Sequence, residues 1–518
     1  MSSASRSPAG PGAGATQTIA GAWRSVLDYA PRYLGFQRAW ARQPGVQVAA
    51  ALDGEPLGGF AVGFADLGGR IPLETGHLFR VASHSKTFTA VAVLQLVEAG
   101  ALRLDDAVAE HVPELAGTDA GGLLLGDLLS HSTGIVRDGA DADFWQLHRA
   151  FPDRAALVAA AAAGRIAGEY EHFKYTNIGY GLLGLAIAAA SGTDYRSYVR
   201  EHIVDRLGLA DTGPDLDPRS ARGPDHGGLA TGYASLAAAG EPYALGQRVP
   251  VDHVDTGALD AATGFYSTAA DLVRFFSALL PASDPAAEGS GGVETAGAAG
   301  AGPDAGPGRR PLLSERSKRR MRRRVEDSGL PGRGYGLGLI LQDVHGTPTF
   351  GHSGGYPGHI TRTWACPGTG IVLSVLANAV DGPAAPWGEA VFALAALALK
   401  EAPASYSDVP AEALERFTGR FAGLWGVQDV VLLGGRLYAL PLAAPLDPEH
   451  ILPLEFVDGS TLRSQDPNGF GGYGEELSFE FDSAGASAMR GPGGLRMVRQ
   501  ADYRLPERIT APVPAPGG

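Results

Sequence analysis

Apolar and polar positions alternate along this chain in two distinct ways. Gly45-Val-Gln-Val-Ala-Ala-Ala-Leu52 is an apolar run of strand length. Asp53-Gly54 follows as a turn signal, and Gly59–Phe64 reads as the returning strand of a hairpin. Between Thr87 and Ala99 only Thr87, Thr89, Gln95 and Glu98 interrupt the apolar residues, which predicts a central helix buried on all sides and stopped at Gly100. Further helices are predicted at Ile178–Ser191, closed by Gly192, and at Ala269–Leu280, opened by Thr268 as cap. Strands follow at Tyr335–Leu341, Thr347–Phe350, His359–Ala365 and Ile371–Ala377, the last two joined through Pro367-Gly-Thr-Gly370. Strands at both ends of the first 400 residues with helices between them predict an α+β domain whose terminal strands share one antiparallel sheet of five or more strands.

From about Ser405 the pattern changes. Short strands at Val430–Leu433, Arg436–Leu442 and Leu477–Phe481 recur with turn residues between them, which predicts a C-terminal all-β sandwich or barrel. At 518 residues, two or more domains are expected. Residues 1–18 and the Gly/Ala/Pro-rich insertion 281–310 lack the apolar content to fold and are expected to be disordered. The boundaries read as 19–403 for the first domain and 404–518 for the second.

A net charge of −14 argues against a dedicated nucleic-acid partner. The basic run Arg316–Arg324, seven basic residues in nine, is read as a solvated helix face in preference to a phosphate site. No uninterrupted apolar stretch reaches membrane-spanning length, and the N-terminus has no apolar leader segment, so a soluble cytoplasmic protein is expected. The single cysteine, Cys366, excludes an intramolecular disulfide. The 13 histidines show no ligand-like spacing, so neither a metal nor another cofactor is expected.

Three short motifs carry candidate chemistry. In Phe79-Arg-Val-Ala-Ser-His-Ser-Lys86, Ser83 and Lys86 are i and i+3 at a helix start, so the amine can reach the hydroxyl. Burial would depress the lysine pKa and let it act as a base on a serine nucleophile. Ser85 is the rival hydroxyl, facing another way, and His84 is read as a wall of the cleft. Tyr175-Thr-Asn177 would project a phenol and a carboxamide into one cleft, the first to shuttle a proton and the second to hold a substrate amide. In Gly351-His-Ser-Gly-Gly355, a strand would put His352 and Gly354 on one face, where a substrate backbone can approach. The Gly355 amide could then join that of Ser83 as an oxyanion hole. The same segment matches a Gly-x-Ser-x-Gly nucleophile elbow at Ser353, but a strand, not a helix, is predicted after it. Gly179-Tyr-Gly-Leu-Leu-Gly184 matches a dinucleotide fingerprint with no strand before it, and is read as helix packing.

The order Ser-x-x-Lys, Tyr-x-Asn, His-x-Gly, together with Leu128-Leu-Ser-His-Ser-Thr-Gly134 and Gly334-Tyr-Gly-Leu-Gly338, resembles the serine β-lactamase and penicillin-binding-protein superfamily over roughly residues 30–400. The likeness is to its class-C-like branch of D-aminopeptidases, D-alanyl-D-alanine carboxypeptidases and family VIII esterases. It implies a β-lactamase/transpeptidase-like α/β (α+β) domain with an antiparallel sheet flanked by helices, followed by a C-terminal lipocalin-like β-barrel. It also implies acylation of Ser83, proton transfer by Lys86 and Tyr175, and activation of the deacylating water by Tyr175 with His352. Asn177, His352, Gly354 and Gly355 would bind a small-molecule or short-peptide substrate. His352 stands where β-lactamases commonly carry a lysine, which weakens a lactamase or strict carboxypeptidase reading. The implied function is hydrolysis of an ester or amide, such as a D-residue-containing peptide. A penicillin-binding-protein-type thioesterase or peptide cyclase, and a catalytically inactive ligand-binding relative, are the alternatives.

Overall fold

The computed structural model describes residues 13–214, 227–236, 248–282, 311–329, 332–400, 406, 409–443, 446, 451–465 and 472–508. Of the two segments expected to be disordered, residues 1–12 and 283–310 lie outside this set, and residues 13–18 begin a helix, Ala13–Trp40. The chain divides into two compact units. One joins Met1–Ala15 to Ala41–Glu389, the other Thr16–Trp40 to Ala390–Gly518. The N-terminal helix, which the boundaries read from sequence put with the first domain, thus groups with the second unit.

The first unit is built on a nine-stranded sheet. Its strands are β1 (Gly45–Leu52), β2 (Glu55–Asp66), β3 (Ile71–Pro72), β4 (Glu326–Asp327), β5 (Arg333–Tyr335), β6 (Ile340–Val344), β7 (Thr347–Tyr356), β8 (His359–Ala365) and β9 (Ile371–Ala377). The order across the sheet is β3-β2-β1-β9-β8-β7-β6-β5-β4, all neighbours antiparallel. Strands from the two ends of the unit therefore meet at β1 and β9, with Val46 opposite Ala377 and Leu52 opposite Ile371. Every residue of β1 and β9 is buried, as expected of central strands whose apolar sequences are interrupted only by Gln47 and Ser374.

Helix α1 (Ser85–Glu98) is buried along eleven of its fourteen residues and ends at Gly100, whose φ of +75° no side-chain-bearing residue adopts freely. Around it lie α2 (Leu125–Ser130), α3 (Asn177–Ser191), α4 (Asp260–Thr263), α5 (Ala269–Ser277) and α6 (Glu315–Met321). Thr176 caps α3 by accepting the Gly179 N–H at 2.9 Å, and Thr268 caps α5 by accepting that of Asp271. One expected strand is two. Residues 335–341 read as continuous because their apolar residues alternate with glycines, yet the chain reverses after Tyr335 through Gly338 (φ +68°) and re-enters as β6. A Cβ at Gly338 would lie 2.5 Å from Ala90 Cβ, so this loop sits directly on α1.

In the second unit eight antiparallel strands between Gly419 and Arg499 close into a barrel. Phe421, Leu437, Leu454, Leu477 and Phe479 fill its core. The helix Ala13–Trp40 is tied to it through the buried Asp429, which accepts the Tyr29 hydroxyl at 2.6 Å and pairs with Arg420 at 2.8 Å. Among the described residues no helix is long and apolar enough to cross a membrane.

Candidate active site

Ser83 lies on a single helical turn, Ala82–His84, that leads into α1. Ala82 is held at φ +45°, which costs an alanine roughly 1–2 kcal/mol. The buried Ser85 secures that turn, donating its hydroxyl to Ala82 O at 2.5 Å and accepting the Phe265 N–H at 3.1 Å. Ser85 is thus fully occupied, while Ser83 is half-buried in an otherwise enclosed segment. His84 is enclosed between Val81 O (3.0 Å) and Thr363 Oγ1 (2.9 Å), and burial pushes its imidazole down to about 3. It has no basicity to offer at neutral pH.

Lys86 has no exposed surface, and its Nζ has three partners: Ser83 Oγ at 3.1 Å, Asn177 Oδ1 at 2.7 Å and Ala262 O at 2.8 Å. The Asn177 Nδ2 donates to Asp138 Oδ1 at 2.6 Å, and a carboxylate only accepts, so Asp138 fixes which end of the carboxamide faces Lys86. Two of the three partners of Nζ are therefore pure acceptors. Burial holds the Lys86 amine well below the ordinary lysine range, with the Asp138 charge opposing the shift and Arg137 adding to it. A neutral amine spends both N–H bonds on Asn177 and Ala262, which leaves its lone pair directed at the Ser83 hydroxyl.

Tyr175 completes the opposite side. Its hydroxyl neighbours Ser83, and its ring centroid lies 4.8 Å from Lys86 Nζ. Burial raises the phenol above its ordinary value, against the opposing influence of Ser83 and Arg137, so it carries its proton at neutral pH. The ring is packed 4.3 Å from that of His131, whose Nδ1 accepts the Thr176 N–H at 3.1 Å and so fixes the chain between Tyr175 and α3. Arg137 stands at the outer edge, its guanidinium 5.6 Å from the Tyr175 ring and 3.0 Å from Asp138.

Tyr175 and Asn177 are both brought to Lys86, but Asn177 does not face an open cleft. Its carboxamide is engaged at both ends by Lys86 and Asp138 and is 2% exposed, so in this state it orients the amine. His352 is also buried. Its Nδ1 faces Ser353 O at 2.7 Å and must carry the proton, so Nε2 accepts the Tyr335 hydroxyl at 2.8 Å. Burial is the chief cause that holds this imidazole well below its ordinary value and keeps it neutral. With both nitrogens occupied it has no lone pair for a water. Gly354 shares the inner face of β7 with His352, and a Cβ there would lie 2.1 Å from Val81 O. The glycine thus admits the backbone that leads to Ser83. Gly355, on the outer face of the same strand, is exposed. Ser353 is exposed too, and β7 runs past it into a turn and β8, with no helix following. Asp138 and Arg137 were not singled out from the sequence, and His131 and Tyr335 lie in stretches that carry the family resemblance but were given no role there; each belongs to the site through contacts 17 to 45 residues away in the chain.

A family model described as Beta-lactamase matches residues 36–396, and the chain belongs to that family, within the β-lactamase and penicillin-binding-protein-like serine hydrolases. It is 30% identical over 345 residues to Penicillin-binding protein 4 of Amycolatopsis lactamdurans, an alignment covering 65% of this chain and 81% of that one. Among solved structures it is similar to SurE, with 25% identity, a TM-score of 0.56 and coverage of 93% of this chain and 100% of that one. It also shares the fold of the D-amino acid amidase from Ochrobactrum anthropi SV3, with 24% identity, a TM-score of 0.52 and coverage of 70% and 91%.

Proposed function

We propose that the chain hydrolyses an amide or ester, with small D-configured amides as the first substrate class, through an acyl-Ser83 intermediate. The observation that carries this reading is the Lys86 amine, buried, with two acceptor-only partners and Ser83 Oγ at 3.1 Å. Lys86 takes the Ser83 proton as the oxygen attacks the carbonyl. The amides of Ser83 and Gly355 receive the developing oxyanion. Tyr175 protonates the leaving nitrogen or oxygen, and the proton on Lys86 restores the phenol. Water then releases the acyl group, activated on the Tyr175 and Lys86 side, since His352 is committed to Tyr335 and Ser353. Asn177, held by Asp138, acts as a positioning residue for Lys86. A neutral His352 offers no fixed cation to a substrate carboxylate, which favours neutral amides and esters. The D-configuration rests on the likeness to a D-amino acid amidase. In this reading residues 41–389 are catalytic, and the closed eight-stranded barrel is an appended lipocalin-like domain.

The test is turnover of D- and L-phenylalanine amide and a matched neutral ester by the full chain and by Ser83→Ala. The expected result is activity on the ester, a preference of at least about tenfold for the D-amide, which is roughly 1.4 kcal/mol of transition-state discrimination, and none of either in the variant. Preference for the L-amide overturns the substrate class, and undiminished turnover by Ser83→Ala overturns the mechanism.

A further inference from the structure

The basic run expected to be a solvated face is divided in two by the structure. Lys318 turns inward, donating to Leu280 O at 3.0 Å and pairing with Glu315 at 2.9 Å, and Arg322, one helical turn on, lies half-buried with its guanidinium 5.7 Å from the Phe350 ring. Arg320, Arg323 and Arg324 face the other way and, with Arg103, line a cavity of about 710 Å³. Its apolar lining is formed by Leu104, Leu124 and Leu337, with the exposed Val325 beside them. None of the residues proposed above for catalysis lines it.

Two of these arginines are already committed. Arg103 grips Asp105, and Arg324 holds Asp327 at 2.7 Å and Arg333 O at 3.2 Å. Among the described residues, no ion pair or hydrogen bond engages the guanidinium of Arg320 or Arg323. The lining carboxylates are Asp105 and Asp127, and Asp127 already accepts the Tyr170 hydroxyl. Four guanidinium groups against Asp105, Asp127 and the Asp327 that holds Arg324 leave this cavity positive in a chain of net charge −14. A concavity focuses such a local field, and the planar guanidinium fork matches phosphate oxygens better than an ammonium does.

We propose that this cavity is a second ligand site, which binds a small phosphate-bearing molecule. Arg320 and Arg323 hold the phosphate oxygens, and the apolar lining covers an attached carbon framework. The volume is that of a small-molecule site, and its concave form favours such a ligand over a nucleic acid or a membrane surface. This proposal is independent of the chemistry assigned to Ser83.

The experiment is calorimetric titration of the full chain with phenyl phosphate and with inorganic phosphate, at a fixed ionic strength of about 0.15 M. The wild type is compared with Arg320→Gln/Arg323→Gln and with Arg463→Gln/Arg496→Gln, which removes the same charge from the barrel surface. The expected result is saturable binding by wild type and barrel variant, tighter for phenyl phosphate, and weakened about tenfold or more in the cavity variant. Absence of saturable binding to the wild type overturns the proposal, as does equal weakening in the two variants. Inorganic phosphate binding as tightly as phenyl phosphate overturns the role of the apolar lining. Unfolding temperatures without ligand, unchanged in both variants, tie any loss to the site itself.

Discussion

Replacing Lys86 with methionine separates a neutral buried amine from a charged one by its effect on stability. Burial holds the folded amine well below the value near 10.4 that it has in an unfolded chain. Between these two values the unfolded chain binds a proton that the folded chain does not. Wild-type stability therefore gains from Lys86 as pH rises through the window and loses that gain as pH falls through it, by about 1.4 kcal/mol per pH unit at full slope. Methionine keeps the unbranched shape but carries no proton linkage. It also leaves Asn177 Oδ1 and Ala262 O buried without their donor, at about 1–3 kcal/mol each. The variant is then less stable than wild type at about pH 9, and the gap narrows by up to about 1.4 kcal/mol for each unit of acidification. Urea unfolding of both proteins at several pH values between about 7 and about 9 measures that gap, and the acylation rate of the variant should fall by about 10²–10⁴-fold. A gap independent of pH means that Lys86 does not change protonation on unfolding in this range. The assignment of a neutral amine to the folded protein is then refuted.

Two charges beside Lys86 should move the acid limb of the kcat/KM profile in opposite directions. Asp138 raises the Lys86 pKa and Arg137 lowers it, so Asp138→Ala shifts the limb to lower pH and Arg137→Gln to higher pH; shifts of the same sign contradict the assignment of that limb to Lys86. Asp138→Ala should also reduce kcat about tenfold, because the Asn177 carboxamide loses the acceptor that orients it. Gly354→Ala brings a Cβ within 2.1 Å of Val81 O and 2.4 Å of Thr361 Oγ1, so it should cost about 1–3 kcal/mol of stability and slow acylation by displacing the Ser83 turn. An unchanged acylation rate, measured beside the unfolding temperature, would show that this contact does not position Ser83.

The central strands were legible because their signals are local. Gly45–Leu52, His359–Ala365 and Ile371–Ala377 are continuous apolar or alternating runs bounded by turn residues, and each is a strand over those same limits. The reversal at Gly338 was not, since a glycine in an apolar run looks alike in a strand and in a loop pressed against a helix. The grouping of the N-terminal helix with the barrel depends on Asp429, 400 residues from Tyr29, and no window along the chain contains that pair. The Ser83 and Lys86 pairing follows from a three-residue spacing. The state of Lys86 depends on Asn177, 91 residues away, and on Asp138, 39 residues from Asn177. His352 shows the same limit. Its position was readable, but its tautomer is set by the Ser353 carbonyl, and the Tyr335 hydroxyl then occupies the remaining ring nitrogen. The basic run Arg316–Arg324 read as one solvated face because composition does not reveal that Lys318 and Arg322 turn inward while Arg320 and Arg323 line a cavity.

The most direct measurement of the central claim is the intact mass of the full chain after brief exposure to an activated ester, followed by peptide mapping. The account predicts one acyl group, carried by Ser83, that forms in wild type, fails to form in Ser83→Ala and forms far more slowly in Lys86→Met. An acyl group on Ser85 or Ser353, or on Ser83 at an equal rate without Lys86, would contradict it.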